Sequence, residues 1–199
     1  MKMIKGTRRV FAALSMLSVS LAITHYLKED YGFFFPVFSI VPTNPDLYGG
    51  WVDNHSYPDK GGTVHIKTIT HYFKSGDYDV SGVLGVTAYK AGHALTYWYT
   101  VTGAGEWKAD THGLIVKLQD MRSSIKTIEY DAREIVPKDF EAFTGNKIPD
   151  LATAFPKGVA GEFRILNISH DTVDLMARDP QGHTFSFTMT RLSDSLVSR

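Results

Sequence analysis

The sequence predicts a mainly β protein: an antiparallel barrel, closed or partly open, with a short helical insert, preceded by one transmembrane helix. Three observations carry this prediction. Short segments alternate apolar and polar residues, most clearly Phe185, Phe187 and Met189 against Ser186, Thr188 and Thr190. Clusters of Gly, Asp, Ser and Pro separate those segments at the spacing of β-turns. Ahead of them all, four basic residues (Lys2, Lys5, Arg8, Arg9) precede an uncharged run from Val10 to Leu27.

A cationic head before an apolar run is a membrane-targeting pattern, and the Lys/Arg excess keeps the N-terminus cytoplasmic. At 18 residues, Val10–Leu27 is long enough to cross the hydrocarbon core, and Lys28-Glu29-Asp30 ends it sharply. Ser20-Leu21-Ala22 also resembles a signal-peptidase site, so an uncleaved anchor and a peptide cut after Ala22 are both consistent with the pattern. A lipoprotein is excluded, because the chain has no cysteine to acylate. Residues 1–9 then form a cytoplasmic head, 10–27 the membrane anchor, and everything from Lys28 an exported portion. Residues 28–45 form a neck: Gly32–Phe38 is apolar, but Pro36, Pro42 and Pro45 prevent a second regular span. Such a neck either lies at the bilayer surface or straps onto the domain.

Composition limits the exported domain, residues 46–192, and its tail, 193–199. The chain balances 21 basic against 21 acidic residues, so beyond the four head cations the remainder carries about −4. That balance argues against a nucleic-acid surface, and nine cytoplasmic residues cannot hold a DNA-binding domain. Without cysteine the core must stand in an oxidising compartment with no disulfide, and thiol chemistry is excluded.

The elements follow in order. Gly49-Gly50-Trp51-Val52 opens the first strand. Thr63–Phe73 places Val64, Ile66, Thr68, Thr70 and Tyr72 on one face, with His65, Lys67 and His71 on the other. Lys74–Asp77 is a tight turn into Tyr78–Val86, and Ala91-Gly92 is the turn into Ala94–Val101, rich in strand-favouring Thr, Tyr and Trp. Gly103-Ala104-Gly105 reads as a further turn, into Glu106-Trp107-Lys108. Leu114–Leu118 and Ile125–Glu129 read as two separate strands. Pro137–Phe143 has Pro at its start and Gly145 past its end, the punctuation of a helix, and Pro149–Phe155 repeats that pattern. Glu162–Ile168, Val173–Arg178 and His183–Arg191 complete the sheet, the last two joined through Asp179-Pro180-Gln181-Gly182. Barrels of this size enclose side chains or one small ligand.

No nucleophile elbow, phosphate loop, zinc-protease motif or calcium loop is present, so the sequence is read as that of a non-enzyme without cofactor. His65 and His71 share a strand face, yet six residues along a strand separates them by about 20 Å, too far to share a metal. No spacing among His55, His93, His112, His170 and His183 is ligand-like. The histidines read as exposed sheet residues, with pH sensing as the functional alternative. Trp51, Trp107, Phe185, Phe187 and Met189 are the candidate pocket residues. They fit either a simple core or a barrel interior holding an apolar molecule. Tyr97 and Tyr99 lie on the opposite strand face from Trp98, so the three cannot line one cavity.

Gly49-x-Trp51 resembles the entry of lipocalin-type barrels. A broader pattern runs from Gly105-Glu106-Trp107 through Gly113–Val116 and the strand after Met121-Arg122-Ser123-Ser124. It continues through Asp150–Phe155 and ends in the hairpin of Val173–Arg178 with His183–Phe187. This order and spacing, behind an N-terminal anchor, resembles the ToxS family, single-pass inner-membrane partners of ToxR-type transcription regulators. The chain departs from that family in its Phe- and Pro-rich neck, 31–45, and a longer insert, 137–149.

The resemblance implies a co-regulator without catalytic residues. Its periplasmic domain would bind and stabilise that of a membrane-bound ToxR-like regulator. It would also help to sense a bile-salt-like amphiphile, as related lipocalin-like co-receptors do. The alternative is a stand-alone periplasmic lipocalin-like carrier of an apolar ligand.

Overall fold

The computed structural model describes residues 44–59, 62–154, 157–158, 160–178 and 182–193. The expected anchor, Val10–Leu27, lies outside these residues, as do the neck before Asn44 and the tail after Ser193. Among the described residues, nine strands follow a short 3-10 turn at Pro45–Leu47: β1 (Gly49–Asp59), β2 (Gly62–Tyr72), β3 (Asp77–Lys90), β4 (His93–Ala109), β5 (Gly113–Tyr130), β6 (Arg133–Ile135), β7 (Ala160–Ile168), β8 (Thr172–Arg178) and β9 (Thr184–Arg191). One helix, α1 (Pro137–Thr144), and a second 3-10 turn (Leu151–Ala154) separate β6 from β7.

Eight strands close into an antiparallel barrel, with the short helix as its insert. Neighbours run β1-β2-β3-β4-β5-β7-β8-β9 and return to β1, while β6 pairs only with the far end of β5. The architecture is consistent with a lipocalin-like barrel. Closure satisfies most of the strand edges that an open sheet would expose, apart from stretches of β1 and β9 beyond their short pairing. The parity predicted for the second strand holds, with Val64, Thr70 and Tyr72 buried.

Two turns take the form that tight hairpins require. Ala91 and Gly92 have φ 52° and 80°, and Asp131 and Ala132 have φ 48° and 61°, the paired left-handed residues of a type I′ turn. Asp131 holds its turn in place: one carboxylate oxygen accepts from the Ala94 N–H at 2.9 Å and the other meets His93 Nδ1 at 2.7 Å. α1 starts on Pro137, and Gly145 ends it in the left-handed region, its N–H donating to Glu141 O.

The middle of the chain differs from the sequence reading in two places. Gly103-Ala104-Gly105 makes no turn, because β4 runs unbroken to Ala109. A Cβ on Gly105 would lie 2.1 Å from Lys117 O, so this glycine serves close approach of β4 to β5 within the sheet. Leu114–Leu118 and Ile125–Glu129 are parts of the single long strand β5. Register shifts at Trp98/Tyr99 and Ala104/Gly105 against β4 break its alternation, which makes one bulged strand look like two. The second helical stretch is only the 3-10 turn Leu151–Ala154.

Two apolar clusters hold the barrel. The first, at the end where β1 begins, packs Leu47, Trp51, Tyr72, Tyr78, Trp107 and their neighbours. The second packs Tyr97, Tyr99 and Ile128 against Phe140 of α1 and Leu151. Phe140 meets the Tyr97 ring edge-on at 5.7 Å, and Tyr99 OH donates to Pro149 O at 2.9 Å, so the insert is fastened to the barrel by both shape and hydrogen bonding.

Candidate ligand cavity and its aromatic seam

Between the clusters lies a cavity of about 310 Å³. That is the lower end of the range that accommodates small organic ligands. Its walls are mostly apolar, including Ile66, Leu84, Val116 and Leu175. Phe185, Phe187 and Met189 line it, because the odd residues of β9 point inward while Ser186 and Thr188 face out.

Trp51 and Trp107 do not line the cavity. Both are essentially fully buried in the packed end, where Trp51 Nε1 donates to Leu47 O at 2.8 Å and Trp107 Nε1 to Phe73 O at 3.0 Å. The Arg191 guanidinium lies 4.2 Å over the Trp51 ring and donates to the carbonyls of Tyr48 and Asp46, both at 2.8 Å, and to that of His170. A cation stacked on indole and bonded to three carbonyls clamps β1, β9 and the β7–β8 turn at this end.

β1 also supplies interior residues that a reading stopping at Trp51 and Val52 overlooks. Continuing its alternation from Trp51 brings Asp53, His55 and Tyr57 to the same inward face, and all three border the cavity. His55 Nδ1 meets Asp53 Oδ1 at 2.6 Å, with the two side chains only 11% and 13% exposed. A carboxylate can only accept, so Nδ1 carries the proton of this bond. The other ring nitrogen, Nε2, is buried without a hydrogen-bond partner among the described residues. An unsatisfied buried polar atom costs on the order of 1–3 kcal/mol.

The wall beside His55 is held differently from the rest. β1 and β9 pair only through Trp51–Asp53 with Met189–Arg191. Beyond that point Asn54–Asp59 continues against β2 alone, and Thr184–Thr188 against β8 alone. Aromatic stacking closes the gap: His55 on Phe187 at 4.1 Å and Tyr57 on Phe185 at 4.5 Å, with Phe163 edge-on to Phe187 at 5.9 Å. Each such contact contributes about 0.5–1.5 kcal/mol beyond its buried area. This seam is the least hydrogen-bonded part of the barrel wall between paired neighbours.

Electrostatics leave the interior with little charge besides the Asp53–His55 pair. Burial holds the Tyr72 phenol well above its usual range, with Tyr78 and Asp53 adding to the effect, and burial pushes Tyr78 up to about 12. Both phenols are therefore neutral at physiological pH. Glu162 borders the cavity from β7, and desolvation raises its carboxyl above the ordinary value. The exposed Arg178 also borders it.

The other histidines among the described residues lie on the outside of the barrel or in turns. His71 meets Asp79 at 3.1 Å and His170 meets Asp171 at 2.7 Å. His65 is wedged between Ser56 and Thr87 beside Trp98. Among the described residues, no three His, Asp or Glu side chains are grouped to hold a metal.

No family model matches this chain, and no curated protein matches it.

Proposed function

We propose that this domain binds a small, largely apolar amphiphile inside its barrel. The observation that carries this reading is the cavity of about 310 Å³, walled by aliphatic and aromatic side chains and bounded by one buried polar pair. A bile-salt-like molecule suits such a lining. Its fused apolar rings match the walls, and its acidic end finds the exposed Arg178 and solvent at the border. Binding of this kind uses shape and burial and requires no catalytic group. Calorimetric titration of a bile salt and of a simple fatty acid into the full-length protein tests it. Saturable binding of either with a negative heat-capacity change supports a cavity that buries apolar surface; absence of binding by both removes the reading.

The same binding event supports two biological settings. In the first, the protein is held in the inner membrane by Val10–Leu27 and serves as periplasmic co-regulator of a ToxR-like transcription factor, as the resemblance to the ToxS family implies. The seam favours this setting, because strand segments lacking a hydrogen-bonded neighbour on one side are where a partner strand can add. In the second, the barrel is a stand-alone carrier. Co-purification with a ToxR-like regulator, and a rise in melting temperature when the two are mixed, separates the first from the second.

A further inference from the structure

The inference that follows rests on the cavity reading and specifies the ligand's chemistry. We infer that the buried Nε2 of His55 is the polar anchor of the cavity, accepting a hydrogen bond from a hydroxyl group on a flat, otherwise apolar ligand. Three observations converge on this atom. Nε2 is buried and without a partner, on a ring that borders the cavity. Asp53 accepts a hydrogen bond from Nδ1–H at 2.6 Å, the tautomer that puts the lone pair of a neutral ring on Nε2, and the proposed site uses that nitrogen as an acceptor. The rings that cover it, Phe185 and Phe187, belong to the stretch of β9 that is not hydrogen-bonded to β1, so they can shift without breaking a strand pair.

The same geometry selects against an anionic head at this point. Asp53 already places a carboxylate beside the ring, and a second one on the far side would be buried in an apolar wall close to the first. A hydroxyl brings no charge and donates the one hydrogen bond that the site lacks. The stacked Tyr57, Phe185 and Phe187 rings favour a flat partner, which can slide into the stack alongside the imidazole. An amphiphile that also carries an acid group would seat its hydroxyl here and leave the acid at the border, by Arg178.

Naphthalene and 2-naphthol, which differ by one hydroxyl, test this on the full-length protein. Intrinsic probe fluorescence gives both affinities, and nitrogen-15 spectra of the histidine-labelled protein read the imidazole directly. The expected result is 2-naphthol binding about tenfold more tightly than naphthalene, as one hydrogen bond to an otherwise unsatisfied buried group supplies. The unprotonated Nε2 resonance should move with 2-naphthol and stay with naphthalene. In His55→Phe, which keeps an aromatic ring but removes the acceptor, the ratio of the two affinities should fall to about one. Equal affinity of the two probes for the wild-type protein, or an Nε2 resonance indifferent to 2-naphthol, overturns the anchor while leaving the cavity intact. If neither probe binds, the cavity reading fails, and the anchor with it.

Discussion

Replacing Phe187 by Ala distinguishes a ligand cavity from an ordinary core. A fully enclosed Phe→Ala change costs about 3–5 kcal/mol, partly by lost transfer energy and partly by the void left behind. Phe187 is only half-buried, and one side of it already faces the cavity. What the truncation removes is the stack on His55 at 4.1 Å, the looser stack on Phe185 at 6.1 Å and the edge contact with Phe163 at 5.9 Å, not a complete packing shell. A loss of about 1–2 kcal/mol follows, the lower part of the range for aromatic contacts plus partial burial. Leu95 is the internal control. It is fully buried in the cluster that includes Phe140 and does not border the cavity, so Leu95→Ala should lose about 2–5 kcal/mol. Urea unfolding at equal protein concentration reads both, and with a slope of about 1–3 kcal/mol/M the two midpoints should separate clearly. The truncated variant should also lose most of its affinity for a flat apolar probe. If Phe187→Ala destabilises as much as Leu95→Ala, the interior is a packed core and the cavity argument is refuted.

Gly105→Ala should be among the worst small substitutions in the molecule. Its Cβ would meet Lys117 O at 2.1 Å and the Tyr78 ring at 2.8 Å, and a backbone oxygen cannot swing aside, so a loss of about 3 kcal/mol or more in urea unfolding is expected. Stability should also fall on mild acidification because of His65. Its folded pKa is lowered, first by desolvation and then by Lys67 against a smaller opposing effect of Glu129, so the unfolded chain binds the proton more readily. The contribution is complete above the unfolded value near 6.5 and is lost as pH falls through the folded value. Comparing unfolding free energies at pH 7.5 and pH 5 should show a smaller acid loss in His65→Gln than in the wild type.

Parity along strands was the legible part of this fold. The alternation of Val64 to Tyr72 and of Phe185 to Met189 predicts correctly which side faces in, because one buried face imposes a period of two. Glycine was the ambiguous signal. Gly103 and Gly105 look like a turn in sequence, yet they serve close strand approach, and both uses need the same missing Cβ. The unity of β5 was hidden by bulges that reset its alternation. Parity also carries no information on depth along the barrel. Trp51, Trp107 and Phe187 all point inward, but the tryptophans close one end while Phe187 lies beside the cavity. Asp53 and His55 were within reach of the sequence, two and four residues past Trp51 on the same face. Charged and titratable residues seldom face a barrel interior, so their parity is easily passed over.

The unequal construction of the wall ties stability to access. At the packed end, Arg191 joins Trp51 and three backbone carbonyls, and the β1–β9 pairing is confined to the three residues beside it. Away from that clamp, each seam strand keeps its outer partner: β1 is registered to β2 over all 11 of its residues, and β9 to β8 over seven. Parting the seam therefore breaks ring contacts without removing either strand from the sheet, a local opening much less costly than global unfolding. A ligand of the proposed kind would enter sideways between Tyr57 and Phe185 while both core clusters stay packed. The same opening would uncover His55, so the one cavity-lining side-chain atom buried without a partner among the described residues lies where the wall is least hydrogen-bonded. Stiffness at the clamp is what allows the seam to be weak.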